Sequence, residues 1–496
     1  MLLNYVCNPA YNARHFIEFT VYQPAMKNSS NHRLWNDELI RKHDLAGPRY
    51  TSYPTAPQFS ETYGEAAWLH AVQRSNASSA PLSLYFHIPF CDTVCYYCAC
   101  NKIITANRKL AEPYVAAVKH ELELQAAHIS PSRPVHQLHW GGGTPTYLSD
   151  EQMLDLMNQT KSLFSLKTDD SGEYSIEIHP KGVTPERLNK IRALGFNRLS
   201  MGVQDFNSEV QKAVNRFNSP DEVAALVVEA RKLNFHSVSV DLIYGLPLQS
   251  AHTFAETLKQ ILEFRPDRLS VFNYAHMPQL FKTQKQIDSA LLPEPQEKLE
   301  ILRQSIATLL DAGYVYVGMD HFALPDDELA KAQLQKKLHR NFQGYATYGD
   351  CDLFSFGVSS ISAFGDTFFQ NQKTIENYYA PLEKNQLPLW RGIALEEDDK
   401  IRQFVIKELI CHFELNFANV EKRYGIHFET YFAEELDSLK VLAEDELLEL
   451  SGEHIQVNDK GRLLIRRICM AFDAYLAQNT RDKITGDAKP RYSRII

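Results

Sequence analysis

An α/β fold is predicted, a partial (β/α)6 barrel followed by a C-terminal, mainly helical, winged-helix-like domain, and three observations predict it. Apolar runs rich in β-branched and aromatic residues alternate six times with amphipathic stretches that carry helix caps. The chemically unusual residues fall at the carboxyl ends of those runs, where barrels and open α/β sheets bind ligands. From Leu395 onward the composition turns helical.

Residues 1–31 hold scattered aromatics without a sustained period, so no element is predicted there, and a translation start at Met26 would remove most of them. Residues 35–43 read as a short helix, and 47–55 (GPRYTSYPT) as an extended segment with a proline near each end. Arg49 with Tyr50 and Tyr53 offers one fixed cation and two phenols, a set suited to a planar anionic ligand; the plain alternative is a surface linker. The six strands are expected at 82–88, 136–140, 174–178, 198–203, 237–243 and 268–274. Between them Ser149 caps an amphipathic run, and Thr184-Pro185-Glu186 opens a helix that Gly195 closes. Such alternation implies parallel strands with right-handed helical crossovers, and its weakening after the sixth unit argues against a closed eightfold barrel.

Further on, helices are expected at 295–312 and 325–340 with a short strand at 314–318 between them. Residues 398–415, 417–424 and 429–449 carry apolar stripes, followed by a strand pair at 454–457 and 461–465. The implied division is an N-terminal extension and short helix (1–47), a catalytic domain (48–375) and a helical lid (376–496). Glu434, Glu435, Asp437, Glu444, Asp445 and Glu446 make the last unit acidic, which favours a lid over a DNA reader.

The charge balance of -9 with pI near 6.1 gives no footprint for nucleic acid, and the sequence contains no run of eighteen apolar residues or secretory signal, so a cytoplasmic monomer without membrane contact is expected. Eight cysteines in 496 residues are too few for a disulfide scaffold. Four of them, Cys91, Cys95, Cys98 and Cys100, crowd into one loop directly after the first strand. Structural zinc draws two Cys pairs from separate stretches, since one short loop wraps a tetrahedron poorly. The spacing C-x3-C-x2-C instead suits a [4Fe-4S] cube held at three irons, the fourth left open, and it is the signature of radical S-adenosylmethionine (SAM) enzymes. Cys7, Cys351, Cys411 and Cys469 are dispersed and read as inert.

The other strand ends add polar groups at the same rim. Gly141-Gly142-Gly143-Thr144 follows the second strand and lets backbone lie close to a ligand; a tight turn would also explain it. Glu177 ends the third, Gln204-Asp205 follows the fourth, and Asp241 sits near the end of the fifth in the apolar context SVSVDLIYGLP, where an unpaired carboxylate is costly. Tyr274-Ala275-His276 closes the sixth. Gln204 and Arg216 are individually surface residues by default. His321, beside Asp320, reads as half of a hydrogen-bonded structural pair.

The strings PRYTSYPTA, LHWGGGTPTYL, GFNRLSMGVQDFN, DLIYGLP, DRLSVFNYAH, GMDHFA and LHRNFQGY, with the loop CDTVCYYCAC, resemble oxygen-independent coproporphyrinogen III oxidases in the same order from about Trp35 onward. The resemblance implies that Cys91, Cys95 and Cys98 hold the cluster and that Cys100 is needed without being an iron ligand. It implies two SAM molecules: one at Tyr85, Glu177 and Ile361, with Gly142 at its amino-acid end, and a second at Tyr97, Gly143, Thr144, Gln204, Arg216, Asp241 and Ala275. At position 97 the family often has Phe. The reaction implied is oxidative decarboxylation of two propionates of coproporphyrinogen III, with SAM cleaved to a 5′-deoxyadenosyl radical, because an unactivated C–H is beyond a side-chain base. An electron donor and a final acceptor are also implied, though no motif names them. The substrate's carboxylates call for cations, for which Arg49, Arg340 and then Lys102 are the candidates. Two other readings stand beside this one: a haem-binding chaperone on the same scaffold, against which Cys100 and PRYTSYPTA speak, and a plain iron–sulfur electron carrier, which needs far less chain.

Overall fold

Every second residue of Leu82–Ile88 (β1) is wholly buried, and the next chain segments repeat that pattern until a sheet curls around a lumen. The computed structural model describes residues 34–476 and 494. Strands β1, Pro134–Gly142 (β2), Glu173–Ile178 (β3), Arg198–Gln204 (β4), Ser237–Tyr244 (β5) and Arg268–Asn273 (β6) pair in parallel and in chain order. On β3 to β5 the outward residues are buried under helices, whereas Ser175, Glu177, Ser200, Gly202, Ser239 and Asp241 are half-buried on the concave side. That asymmetry makes the lumen the polar face.

The helices between the strands begin and end where the caps predict. Ser149 closes a capping box with Gln152, Thr184 accepts from the Arg187 amide at 3.2 Å, and Gly195 ends its helix at φ 112°. A seventh parallel strand, Asp352–Phe356, lies against β1, and three antiparallel strands ending with Leu389–Ala394 extend that edge; Val315–Gly318 and His321–Ala323 extend the other beyond β6. The barrel is thus partial, with both edges running outward instead of closing.

Several boundaries differ from expectation. The helix expected at 325–340 covers only Glu328–Leu334, because Lys336 turns the chain at φ 56° and His339–Asn341 then pairs with Gly344–Ala346 as a hairpin. The long helix expected at 429–449 breaks at Phe432, whose backbone (φ -108°, ψ 32°) leaves the helix so that its ring can bury between Phe428 and Phe472. Residues 461–465 form no strand: a Cβ on Gly461 would meet the Leu447 carbonyl at 2.0 Å, and the chain is helical there at Asp459–Arg462. His454–Val457 pairs instead with Glu414–Asn416 and Leu448–Leu450.

Residues 47–55 are not a surface linker. Tyr50 donates to Asp473 at 3.0 Å, Tyr53 accepts from the Ala474 amide at 3.2 Å, and Gln403 reaches the Tyr53 carbonyl at 2.7 Å. Both phenols face the helical module instead of a ligand, which corrects the reading that grouped them with Arg49. Among the described residues no helix is long and apolar enough to cross a membrane. The expectations for residues 1–31, Met26 and Cys7 fall outside the described residues.

Candidate active site

The loop after β1 is fixed at its stem before the first thiol appears. Phe90–Cys91 pairs with Ile103–Ile104, and the Gly143 and Thr144 amides donate to the Ile88 and Phe90 carbonyls, each at 2.8 Å. A Cβ on Gly143 would come within 2.6 Å of the Pro89 carbonyl, so this glycine is required by packing of loop against loop, whatever else approaches it. Further along, the Asn215 side chain holds the Val94 carbonyl at 2.7 Å, and Gln284 holds that of Tyr97 at 3.0 Å. Lys102 and Thr283 both donate to the Cys98 carbonyl, at 2.8 and 3.1 Å.

A cavity of about 300 Å³ opens on this loop at the carboxyl ends of the strands. Cys91, Cys95, Cys98 and Cys100 line it, with Tyr97 and Lys102. Gly142, Gly143, Thr144, Glu177, Gln204, Arg216 and Asp241 form the facing wall. Tyr85, Ala275, Ile361 and Arg49 do not line it. Tyr85 lies beneath, stacked on His139 (5.7 Å, 13°) with its hydroxyl 3.1 Å from His87 Nδ1. Ile361 begins the second strand beyond β1, and Ala275 meets the cavity wall only through Gln284, which binds its carbonyl at 3.3 Å.

The thiols differ in their surroundings. Cys91 accepts from the Thr144 hydroxyl at 3.5 Å and Cys95 from Arg216 at 3.7 Å. A hydrogen bond from Cys100 lowers the Cys98 thiol to about 6, and the same bond, with burial, pushes Cys100 up. Among the described residues no three His, Cys, Asp or Glu side chains converge tightly enough for a single metal ion. Sulfurs spread around one cavity fit a cube, in which each thiolate takes a different iron, better than they fit zinc.

Burial would raise the Glu177 carboxyl, but His139 at 3.3 Å and the Gly142 amide at 3.1 Å outweigh it and hold the group below the usual range. Asp241 has no such help: burial lifts it to about 6, with only hydroxyls, Ser200 at 3.1 Å and Ser270, as partners. Gln204, at φ 73°, and Arg216 each present a buried polar atom, Oε1 and Nε, without a hydrogen-bond partner. Carboxylates without a Lys or Arg ion pair among the described residues, beside orphaned donors and acceptors, fit a ligand with hydroxyls, an ammonium and a carboxylate, as SAM has. His139 and His87 escaped the sequence reading, although His139 stands inside the string LHWGGGTPTYL at a position that alternation aims into the lumen.

Deeper in the lumen lie the expected substrate cations. Arg49 pairs with Asp320 and lies over the Phe272 ring at 5.9 Å; burial, then Arg466 and Arg340, lower it to about 10. Arg340 is 4% exposed, lies over Tyr345 at 4.8 Å, and leaves Nε and Nη1 without partners. Because Asp320 is taken by Arg49, it makes no pair with His321. That ring sits edge-on to Phe272 and Tyr345 with its Nδ1 unpartnered, which overturns the expected His–Asp pair.

Two family descriptions match the chain: the Radical SAM superfamily over residues 85–261 and the HemN C-terminal domain over 395–464. A relative from Pseudomonas aeruginosa named oxygen-independent coproporphyrinogen III oxidase is 50% identical over 462 residues, covering 93% of this chain and 99% of its own. The Escherichia coli protein of the same name is 53% identical over 462 residues, covering 93% and 98%. A solved structure described as coproporphyrinogen III oxidase (HemN) from Escherichia coli, a radical SAM enzyme, superposes with a TM-score of 0.85 at 50% identity, covering 89% of this chain and 99% of that one.

Proposed function

The chain belongs to the oxygen-independent coproporphyrinogen III oxidase family, and from that membership we propose that it catalyses the anaerobic oxidative decarboxylation of two propionates of coproporphyrinogen III to vinyl groups, giving protoporphyrinogen IX in haem biosynthesis. As in other radical SAM proteins its cofactors are a [4Fe-4S] cluster and SAM, which when bound supply the one-electron chemistry that an unactivated C–H requires. Cys91, Cys95 and Cys98 hold the cluster in this reading, and Cys100 serves the reaction from outside it. Glu177 receives an ammonium, Gln204 and Asp241 receive ribose hydroxyls, and Arg216 receives a carboxylate. Tyr85, Gly142 and Ile361 with Glu177 would serve one SAM. A second would use Tyr97, Gly143, Thr144 and Ala275 beside Gln204, Arg216 and Asp241.

One observation carries the substrate assignment: a buried guanidinium, Arg340, keeps two nitrogens unsatisfied and stands near enough to Arg49 to lower it. An uncompensated buried cation is expensive, and a propionate is the counter-ion it lacks. Arg49 orients a second carboxylate by exchanging Asp320 for it. The helical module acts as a lid by holding residues 47–55 against the barrel.

The test is an anaerobic turnover of reconstituted protein with SAM, a reductant and coproporphyrinogen III, counting CO2 and 5′-deoxyadenosine. Two CO2 per porphyrinogen are expected. Deoxyadenosine with an unaltered porphyrin would point to another substrate, and neither product to a carrier or chaperone. Arg49→Glu should raise the substrate KM about tenfold or more, the effect of a lost charge-assisted pair, with SAM binding unaltered; unchanged kinetics would remove Arg49 from the site.

A further inference from the structure

A group of basic side chains lies at the opposite end of the barrel, where the amino ends of the strands meet the helix Glu397–His412. A cavity of about 630 Å³ there is bounded by Pro81 and His136 on the barrel side and by Lys407 and His412 on the helix. Lys407 Nζ reaches only the Gln403 side chain, at 3.4 Å, and burial lowers its ammonium to about 8. The His412 side chain is 6% exposed, yet neither ring nitrogen makes a hydrogen bond, although the Glu408 carboxylate stands 3.4 Å from Nδ1. His339 completes the set: burial, then Lys407 and His412, hold it well below its usual value, so the three converge. Arg423 and Lys337 stand exposed at the mouth. The acidic groups bordering the cavity are Asp350, exposed, and Glu408; neither makes an ion pair with Lys407 among the described residues. An adjoining hollow of about 300 Å³ shares Lys407 and His339.

A half-buried ammonium with no carboxylate partner is costly, and an anion bound in the cavity would supply Lys407 with the opposite charge. We propose that this cavity, which adjoins the hollow lined by Arg340, is a binding site for a small polyanion carrying phosphate or carboxylate groups, held by Lys407, His339 and His412, separate from the SAM site. The inference does not depend on the reaction assigned above, because no cysteine of the cluster loop and no residue assigned to SAM borders this cavity. The anion would take a charge-assisted hydrogen bond from the Lys407 ammonium and ordinary N–H hydrogen bonds from the His339 and His412 rings.

Calorimetric titration of the full-length, cluster-loaded protein with pyrophosphate and with tricarballylate, at constant ionic strength, separates the two chemistries. Saturable one-to-one binding of either probe is expected, weakened at least about tenfold by Lys407→Met (one charge-assisted contact) and about threefold by Arg423→Gln (a solvent-exposed pair), with SAM affinity unchanged in both. Pyrophosphate alone would mark a phosphate site, tricarballylate alone a carboxylate site. Arg423→Gln lies on the surface and keeps the test open should Lys407→Met fail to fold. Absence of saturable binding, or binding that neither substitution alters, overturns the proposal.

Discussion

Glu173 and Glu177 stand four residues apart on β3, on the same face, in the same lumen, and the chain treats them in opposite ways. Around Glu173 two fixed arginines answer three carboxylates: Gln137 donates to it at 3.0 Å and Thr347 at 2.8 Å, Arg198 and Arg268 stand near, and those arginines reach Glu328 at 2.6 Å and Asp327 at 2.9 Å. Burial would raise Glu173, but the two arginines and the hydrogen bonds win and hold it low. Neither glutamate makes an ion pair with Lys or Arg among the described residues; Glu177 has His139 at 3.3 Å and no arginine network behind it, and Asp241, its neighbour, is raised by burial. Glu173 is 9% exposed and the Glu177 side chain 44%, so the two ends differ in access as well as in matching by arginine. One end is closed off with fixed cations beside it, and the other stays open to a ligand.

The comparison can be broken from either end. Arg268→Met strands Asp327 without its cation and leaves Glu173 with Arg198 alone, and it should cost about 3–5 kcal/mol of folding stability, the scale for breaking a buried pair. Urea unfolding followed by circular dichroism measures it, and a loss below about 1 kcal/mol would mean the amino end is not held by charge. At the other end Asp241→Asn should cut SAM-dependent turnover about a hundredfold, equivalent to about 2.7 kcal/mol, while leaving the fold firmer. A carboxyl whose folded value is raised to about 6 contributes stability that is full below its unfolded value near 3.8 and is lost as pH rises through 6. Asparagine removes that loss, so about 1–3 kcal/mol of stability should be gained at pH 7 and nothing at pH 3.5. A destabilised Asn variant at neutral pH would show that Asp241 belongs to the matched class.

What could be read from the sequence follows the same division. The thiols and the glycine run are local, their spacing set by one loop, and alternation alone carried Glu177, Gln204 and Asp241 to a common rim. The six parallel strands were equally legible, since each announces itself within seven or eight residues. Partner choice was not. Tyr50 meets Asp473 across more than four hundred residues, and Arg49 meets Asp320 across 271; no period or cap encodes either contact. For the same reason the sequence paired Asp320 with its neighbour His321, and it read the segment around Arg340 as helix when Gly344–Ala346, a few residues on, offers a strand to pair with. Phe432 shows the limit for helices, where an apolar stripe continues unbroken although burial of one ring bends the backbone out of it.

The smallest expected effect sharpens the comparison most, because it asks whether the unmatched end is set by a group the sequence reading overlooked. His139 is the strongest partner Glu177 has, and its other nitrogen lies 2.5 Å from the Ser175 hydroxyl while its ring stacks on Tyr85. His139→Phe keeps the stack and removes both polar contacts. Glu177 is then left with the Gly142 amide against the same burial, so its value rises. The wild-type carboxyl, held low, stays ionised to well below pH 5.5, so any change in wild-type SAM affinity from pH 7.5 to 5.5 comes from Asp241 and not from Glu177. In His139→Phe the affinity should fall further than in the wild type towards the acid end of that range, as the Glu177 carboxylate begins to protonate. Equilibrium dialysis with labelled SAM at four pH values decides it: a uniform loss at every pH would make His139 a packing residue only, and a slope confined to acid would make it the group that keeps Glu177 charged.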